Sequence, residues 1–375
     1  MLQGIKVLDL SRLYPGPMAS WLLADMGAEV IKVEDPQQGD YFREMGPSFD
    51  GMSTYYRSIN GNKKSVILDL KQDQDRETFY TLVRQSQVLL ESFRPGVASR
   101  LKVGYEDLKP LQPSLVYCSL SAYGQESPLK NRPAHDLNVV ALSGILHLMG
   151  LQDKPIPVPP IQLADVTSAY YAVIAILGGV LNQARTGQGS YVDVSMLDSL
   201  YNWLAIHIAS EEKPLRREDM ELSGNLVCYN IYETKEGRHI AFAPLEPKFW
   251  KNFCRAIHRE DLLSQHMERA EPGNSTYETV KAIFRSKTLE EWRPLLEEYD
   301  ACWEPVLTPE EALNTAHIQQ RNLLLQRGKG FTELAFPLKA STLSSKPRRE
   351  APRAGQDQEE VVGGLIQLCL RSEVT

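Results

Sequence analysis

Closely spaced cysteines are missing from this chain: Cys118, Cys228, Cys254, Cys302 and Cys369 stand far apart. No CxxC pair and no Cys/His spacing suited to zinc occurs, so neither a disulfide scaffold nor a metal site is expected. An excess of positive charge is missing too. The 41 Lys and Arg face 48 Asp and Glu, a net charge of −7, which argues against a nucleic-acid partner. The longest apolar run, 169–181, is short for a bilayer and contains Gly178 and Gly179. The N-terminus (MLQGIKVLDL) opens on a strand pattern, without the basic region or cleavage site of a secretory leader. These absences lead to the expectation of a soluble, cytoplasmic protein with reduced thiols and no membrane contact.

Familiar catalytic signatures are also absent. No GxxxxGK[ST] loop occurs, and the first strand-to-helix turn reads SRLYPGP rather than GxGxxG. Nucleotide hydrolysis and the usual dinucleotide fingerprint are therefore not indicated. Neither a GxSxG elbow nor an HExxH helix is present.

What is present is an alternation of short apolar runs with amphipathic segments. Residues 5–10 (IKVLDL) read as a strand, 18–26 as a helix ending at Gly27, and 28–34 (AEVIKVE) as the next strand. Strands at 65–70, 88–91 and 115–120 alternate with helices at 76–86, 98–102 and 105–112. Runs apolar on both faces read as parallel strands in a covered sheet. The first part of the chain is thus an α/β, Rossmann-like layer structure. Helices are expected over 135–148, 165–185 and 196–210, an extended stretch over 154–160, and a strand over 191–195. A charged linker is expected at 211–221. Hairpin patterns at 229–233 and 239–243, then a helix over 247–257, mark a smaller α+β domain. The expected organisation is a large domain over 1–205, a small one over 222–322, and a segment 323–375 returning to the large one, with 365–370 packed on it.

Several stretches resemble the class III CoA-transferase superfamily. They are GIKVLDLSRLYPGP (4–17), GAEVIKVE (27–34), NKKSVILDLK (62–71), VLLESFRPG (88–96) and AHDLNVVALSG (134–144). QLAD (162–165), RTGQG (185–189) and PVL (305–307) continue the likeness. Within the superfamily, CoA-transferases use an aspartate matching Asp165 as nucleophile. The alpha-methylacyl-CoA racemase branch keeps it and adds a His and a Glu, which His135 in AHDLN and Glu246 in LEP resemble. The stretch 45–59 looks more like the transferases. The resemblance implies an interlocked homodimer, an acyl-CoA thioester as substrate, and no prosthetic group beyond coenzyme A itself.

Inverting a carbon beside a thioester needs a base on one face and an acid on the other, with an enolate between them. An unperturbed imidazole changes its charge near pH 6.5, so a histidine at 135 suits either role. Asp165 suits it if desolvation raises its pKa, although ahead of an apolar helix it also fits an N-cap, where free N–H groups favour the anion. Glu246 would orient His135 as a carboxylate does in a triad. Asp136 would offer its backbone N–H to the enolate oxygen, its side chain reading as a first-turn charge. By resemblance Arg12, Leu13, Tyr14 and Pro15, then Ser92, Phe93, Arg94, Val97, Arg100 and Leu101, border the CoA groove, with Lys63 and Leu68. Relatives carry Arg where this chain has Asp35, so Arg43, Lys32 or Lys63 is expected to compensate. Three readings stand: a 2-methylacyl-CoA racemase, a CoA-transferase using Asp165, and a CoA-binding protein with little catalysis.

Overall fold

KVLD folds as β1 (Lys6–Asp9), whose Val7 and Leu8 are fully buried because the sheet is covered on both faces. α1 (Pro15–Asp25) carries proline in its first turn, where a missing N–H leaves nothing unpaired. Then come β2 (Glu29–Glu34), α2 (Thr54–Ile59), β3 (Lys63–Ile67), α3 (Asp73–Arg84) and β4 (Val88–Glu91). Two single turns, α4 (Val97–Arg100) and α5 (Tyr105–Leu108), lead to β5 (Val116–Ser121). α6 (Asp136–Leu142), α7 (Ile145–Met149), α8 (Leu163–Thr186), β6 (Ser190–Ser195) and α9 (Met196–Tyr201) follow. The computed structural model describes residues 1–150, 155–208, 216–327, 330–343 and 349–364.

The six strands pair in parallel in the order β3-β2-β1-β4-β5-β6. This is the doubly wound order, whose direction of winding reverses between β1 and β4. Alternate side chains feed two cores. Val7, Val88, Val116 and Cys118 pack with Ala19, Leu23, Ala172 and Ile176 on one face. Leu8, Ile31, Leu89 and Tyr117 pack with Phe79, Leu82 and Val83 on the other. α8 lies close on β5 at Gly179, where an added Cβ would stand 2.6 Å from Val116 Cγ1.

The described chain divides into two compact units, 1–204 with 322 onward, and 205–321. In the first unit, residues 349–358 run along edge strand β3. The Asn62 N–H donates to Arg349 O (2.9 Å), Ser65 N–H to Asp357 Oδ2 (2.9 Å) and Ile67 N–H to Gln358 Oε1 (2.8 Å), which covers a sheet edge otherwise open to pairing. The second unit holds an antiparallel sheet, β7 (Asn230–Glu233), β8 (His239–Phe242) and, paired to β8's other side, β9 (Trp303–Pro305). Its helices α10 (Pro247–Ala256), α11 (Ser275–Phe284) and α12 (Leu289–Glu298) close over Tyr232, Phe242, Trp250, Phe253, Phe284 and Trp292.

Some expected elements are revised. The helix over 135–148 is two, because Gly144 sits at φ +84° and turns the chain between α6 and α7. The helix from 196 ends as an α-helix at Tyr201 and tightens into a 3₁₀ turn, Asn202–Leu204. α8 spans 24 residues and has an 18-residue window of mean hydropathy 1.6. By length and composition it is apolar enough to cross a membrane, more so than the run 169–181 suggested. Its Ala164, Ala169, Ala172, Ile176 and Gly179 side is buried in the unit's core. The segment 365–370 and part of 211–221 lie outside the described residues.

Candidate active site

The turn after β1 is held from below by buried charges. Asp9 is fully buried and accepts from Ser11 N–H (2.9 Å) and from the hydroxyls of Ser11 and Ser20. Burial alone would raise its pKa; Lys32, Lys63 and the two hydroxyls outweigh that and keep it well below the carboxylate range. The Lys32 ammonium donates to Ser11 O (2.8 Å) and pairs with Asp40 Oδ2 at 2.8 Å. Asp40 Oδ1 in turn accepts from Leu13 N–H (2.9 Å) and Phe42 N–H (3.1 Å). Leu13 stands at φ +64°, a left-handed conformation that a branched residue rarely adopts. The clamp holds it there.

The turn after β4 is held by Glu91, which is 3% exposed and accepts from Phe93 N–H at 2.6 Å. Burial pushes the Glu91 carboxyl up to about 7, against the Ser119 hydroxyl and Phe93 N–H that favour its anion. Arg12 N–H donates to Ser92 Oγ (3.1 Å), joining the two turns across the point where the winding reverses. The Arg12 guanidinium lies 5.7 Å from the Tyr41 ring centre and 6.0 Å from that of Phe93. It is thereby placed over two aromatic faces.

Between these turns and the starts of α6 and α8 opens a cavity of about 780 Å³, within the range of small-molecule sites. It lies outside the carboxyl ends of the strands at the reversal, where open α/β sheets place ligands. Arg12, Leu13, Tyr14, Pro15, Ser92, Phe93, Arg94, His135, Asp136 and Asp165 all line it. His135 is the residue before α6, fixed there because its N–H donates to Asn138 Oδ1 at 3.0 Å. Asp165 lies in the first turn of α8, two residues inside rather than at the cap. The α8 N-cap residue, Gln162, makes no side-chain cap bond. The cap comes instead from Asp136, whose Oδ1 accepts from Ala164 N–H (2.6 Å) and Asp165 N–H (3.0 Å). The Asp136 side chain is therefore more than the idle first-turn charge read from the sequence. Desolvation first, and the Asp136 charge second, raise the Asp165 carboxyl to about 7. Burial, then Asp165, Tyr170 and Asp136, push up the Tyr14 phenol that faces them.

Other assignments are corrected. Lys63 is completely buried, and its ammonium is spent on Asp9 Oδ2 (3.2 Å), Pro17 O (2.8 Å) and Asn60 Oδ1 (2.8 Å). It cannot reach a CoA phosphate. Leu68 is a core residue, 3% exposed. Neither Lys32, paired with Asp40, nor Arg43, forked onto Glu34 at 2.6 and 2.8 Å, is free to replace the arginine missing at Asp35. Val97 and Arg100 on α4, and Leu101 after it, do not line the cavity. The cavity's cations are Arg12 and Arg94 with Lys130 and Arg132, a pair the sequence reading passed over. Met45, Tyr55, Ser58 and Ile59 of the stretch 45–59 form another part of the wall. Tyr55 lines the cavity, whereas Tyr56 is fully buried under Arg43. Glu246 belongs to the second unit, exposed at the N-cap of α10 with no cap bond of its own.

An open parallel sheet with a ligand-sized cavity at its reversal, and two acids and an imidazole in the wall, describes an α/β enzyme without a phosphate loop. The family model for CoA-transferase family III matches residues 2–358, and the chain belongs to that family. It is 34% identical to human succinyl-CoA:glutarate CoA-transferase over 74% of this chain, spanning 62% of that relative's length. It is 30% identical to human alpha-methylacyl-CoA racemase, covering 96% of this chain and 92% of the racemase. Acetyl-CoA:oxalate CoA-transferase of Acetobacter aceti is 30% identical over 90% of this chain and 88% of its own. The crystal structure of Rv3272 from Mycobacterium tuberculosis superposes with a TM-score of 0.83 at 29% identity, covering 95% and 97% of the two chains. A CaiB/BaiF family protein from Brucella suis shares the fold, with a TM-score of 0.82. The curated relatives are enzymes, and both transferases and a racemase are among them.

Proposed function

We propose that the protein racemises 2-methylacyl-CoA thioesters by moving the α-proton between His135 and Asp165. The observation that carries this reading is that both groups line one largely apolar cavity, with burial raising the Asp165 carboxyl to about 7. A group poised near neutrality can give or take a proton with comparable ease. The base removes the α-proton, and its electron pair moves into the thioester carbonyl to give an enolate. The opposite group then returns a proton to the other face, leaving a neutral thioester of inverted configuration. Asp136 is the first residue of α6, so its N–H is one of the helix's free donors and suits the enolate oxygen. Arg12, Arg94, Lys130 and Arg132 supply positive charge for the CoA phosphates. His135→Ala should abolish racemisation, together with α-proton exchange of the enantiomer that His135 deprotonates; racemisation at the wild-type rate would refute the assignment.

A second reading is CoA transfer between carboxylic acids with Asp165 as nucleophile. It is favoured by the CoA-transferases among the relatives and by the stretch 45–59 in the cavity wall. An Asp165 thioester trapped by hydroxylamine identifies that chemistry.

The resemblance further supports a homodimer. Tyr170, Ile174 and Leu181 on α8, with Tyr201 and Trp203 after it, are exposed apolar residues, a surface that a second copy of the chain would cover.

A further inference from the structure

We propose that the Asp136 carboxylate is a positioning residue that ties His135 to Asp165 and occupies the helix-start N–H groups that would otherwise favour Asp165 as an anion. The inference rests on the reading of Asp165 as the reacting carboxylate, but it holds whether that group moves a proton or attacks a thioester.

The first N–H groups of a helix have no partner inside it, and their positive end stabilises a nearby carboxylate. Asp165 in the first turn should therefore ionise readily. Asp136 intercepts this effect. One of its oxygens takes both Ala164 N–H, at 2.6 Å, and Asp165 N–H, at 3.0 Å. The donors are consumed by a different carboxylate, and a negative charge stands beside Asp165 instead of a free dipole.

The same bond is also a ruler. His135 precedes Asp136 directly, and its own N–H is pinned to Asn138 Oδ1 at 3.0 Å. Asp165 hangs from the other end through its N–H. The two proposed proton carriers are thus separated by one peptide unit and one charge-assisted hydrogen bond. No flexible loop intervenes, although Ala164 lies 28 positions beyond Asp136 along the chain.

The groups around Asp165 leave this charge unopposed. Asp136 and His135 come from the start of α6, Tyr14 from the start of α1, and Tyr170 from α8 itself. Tyr14 and Tyr170 are phenols, and Asp136 is the charged partner that acts on Asp165. Two neighbouring carboxyls of unequal environment lose their protons in sequence. Burial raises the Asp136 carboxyl, and the N–H groups of Asp165, Ala164 and Leu163 act against that rise; with those donors Asp136 ionises first and leaves the proton on Asp165.

The test is a carboxyl ¹³C NMR titration of full-length protein labelled at aspartate, with both signals assigned by substitution. In the wild type, Asp136 should titrate below Asp165, whose midpoint lies near 7. In Asp136→Asn, which keeps a carbonyl acceptor but loses the charge, the Asp165 midpoint should fall by about one pH unit. The acid limb of the pH–rate profile should fall with it. In Asp136→Ala the cap is lost as well, so the midpoint should fall at least as far and kcat should drop. An unchanged Asp165 midpoint in the Asn variant overturns the proposal. So does a wild-type titration in which Asp165 ionises before Asp136, a result that needs no variant to fold. The titration does not depend on turnover, so a protein that shifts as described yet fails to racemise would sink the functional reading alone.

Discussion

At the scale of single residues, Asp165 is kept in an unfavourable setting. In the folded protein it holds its proton to about pH 7, whereas an unfolded chain releases it near 3.9. Between those values the folded state binds more protons, so stability falls as pH rises. Asp165→Asn removes the titrating group. It should raise stability at pH 8.5 by on the order of 2–4 kcal/mol, with little change below pH 4. Thermal melts at the two pH values check this; equal melting temperatures for both proteins at pH 8.5 would contradict it. A group that costs stability when charged is what a site shaped for chemistry leaves behind. His135 and Asp165 were legible in the sequence because AHDLN and QLAD carry them. The Asp136 side chain was not, because its partners lie on another helix that only the tertiary fold brings near. Lys63 was misplaced for a related reason. The strand was read from residue 65, so the alternation that turns Lys63 inward with Ser65 lay outside it.

At the scale of elements, the buried clamp beneath the first turn decides whether the cavity wall keeps its shape. Lys32 and Asp40 are 1% exposed each, and removing one partner strands the other charge. Lys32→Met should therefore destabilise the protein by about 3–5 kcal/mol. At temperatures where it remains folded, the loss of the bonds to Ser11 and of the pairing that anchors Leu13 should raise KM for acyl-CoA. Urea unfolding and steady-state kinetics measure the two effects; unaltered unfolding would contradict the role of the pair. α8 offers a matched comparison. Gly179→Ala drives a methyl against Val116, 2.6 Å away, and should cost about 1–3 kcal/mol. Gly178→Ala meets nothing within 4 Å and should gain up to about 1 kcal/mol from helix propensity. Equal effects in urea unfolding would show that the α8–β5 contact is looser than described. The strands were readable because runs apolar on both faces and bounded by Gly or Pro leave few alternatives to a covered parallel sheet. The break at Gly144 was not, since apolar spacing continues across it.

At the scale of the whole molecule, the doubly wound order explains why one cavity gathers residues from positions 12 to 196. Turns following neighbouring strands that wind in opposite directions must splay apart at the reversal, and the starts of α6 and α8 close that gap. The proposed dimer predicts a particle of twice the 42.3 kDa chain mass by light scattering; a chain-mass species with full turnover would contradict it. Proton transfer at the α-carbon is measured by proton NMR of the wild-type protein in D₂O. The reactant is one enantiomer of a 2-methylacyl-CoA, with no free acid added. Deuterium should enter the α-position together with loss of optical purity. A bound thioester that keeps both its α-proton and its configuration would contradict it.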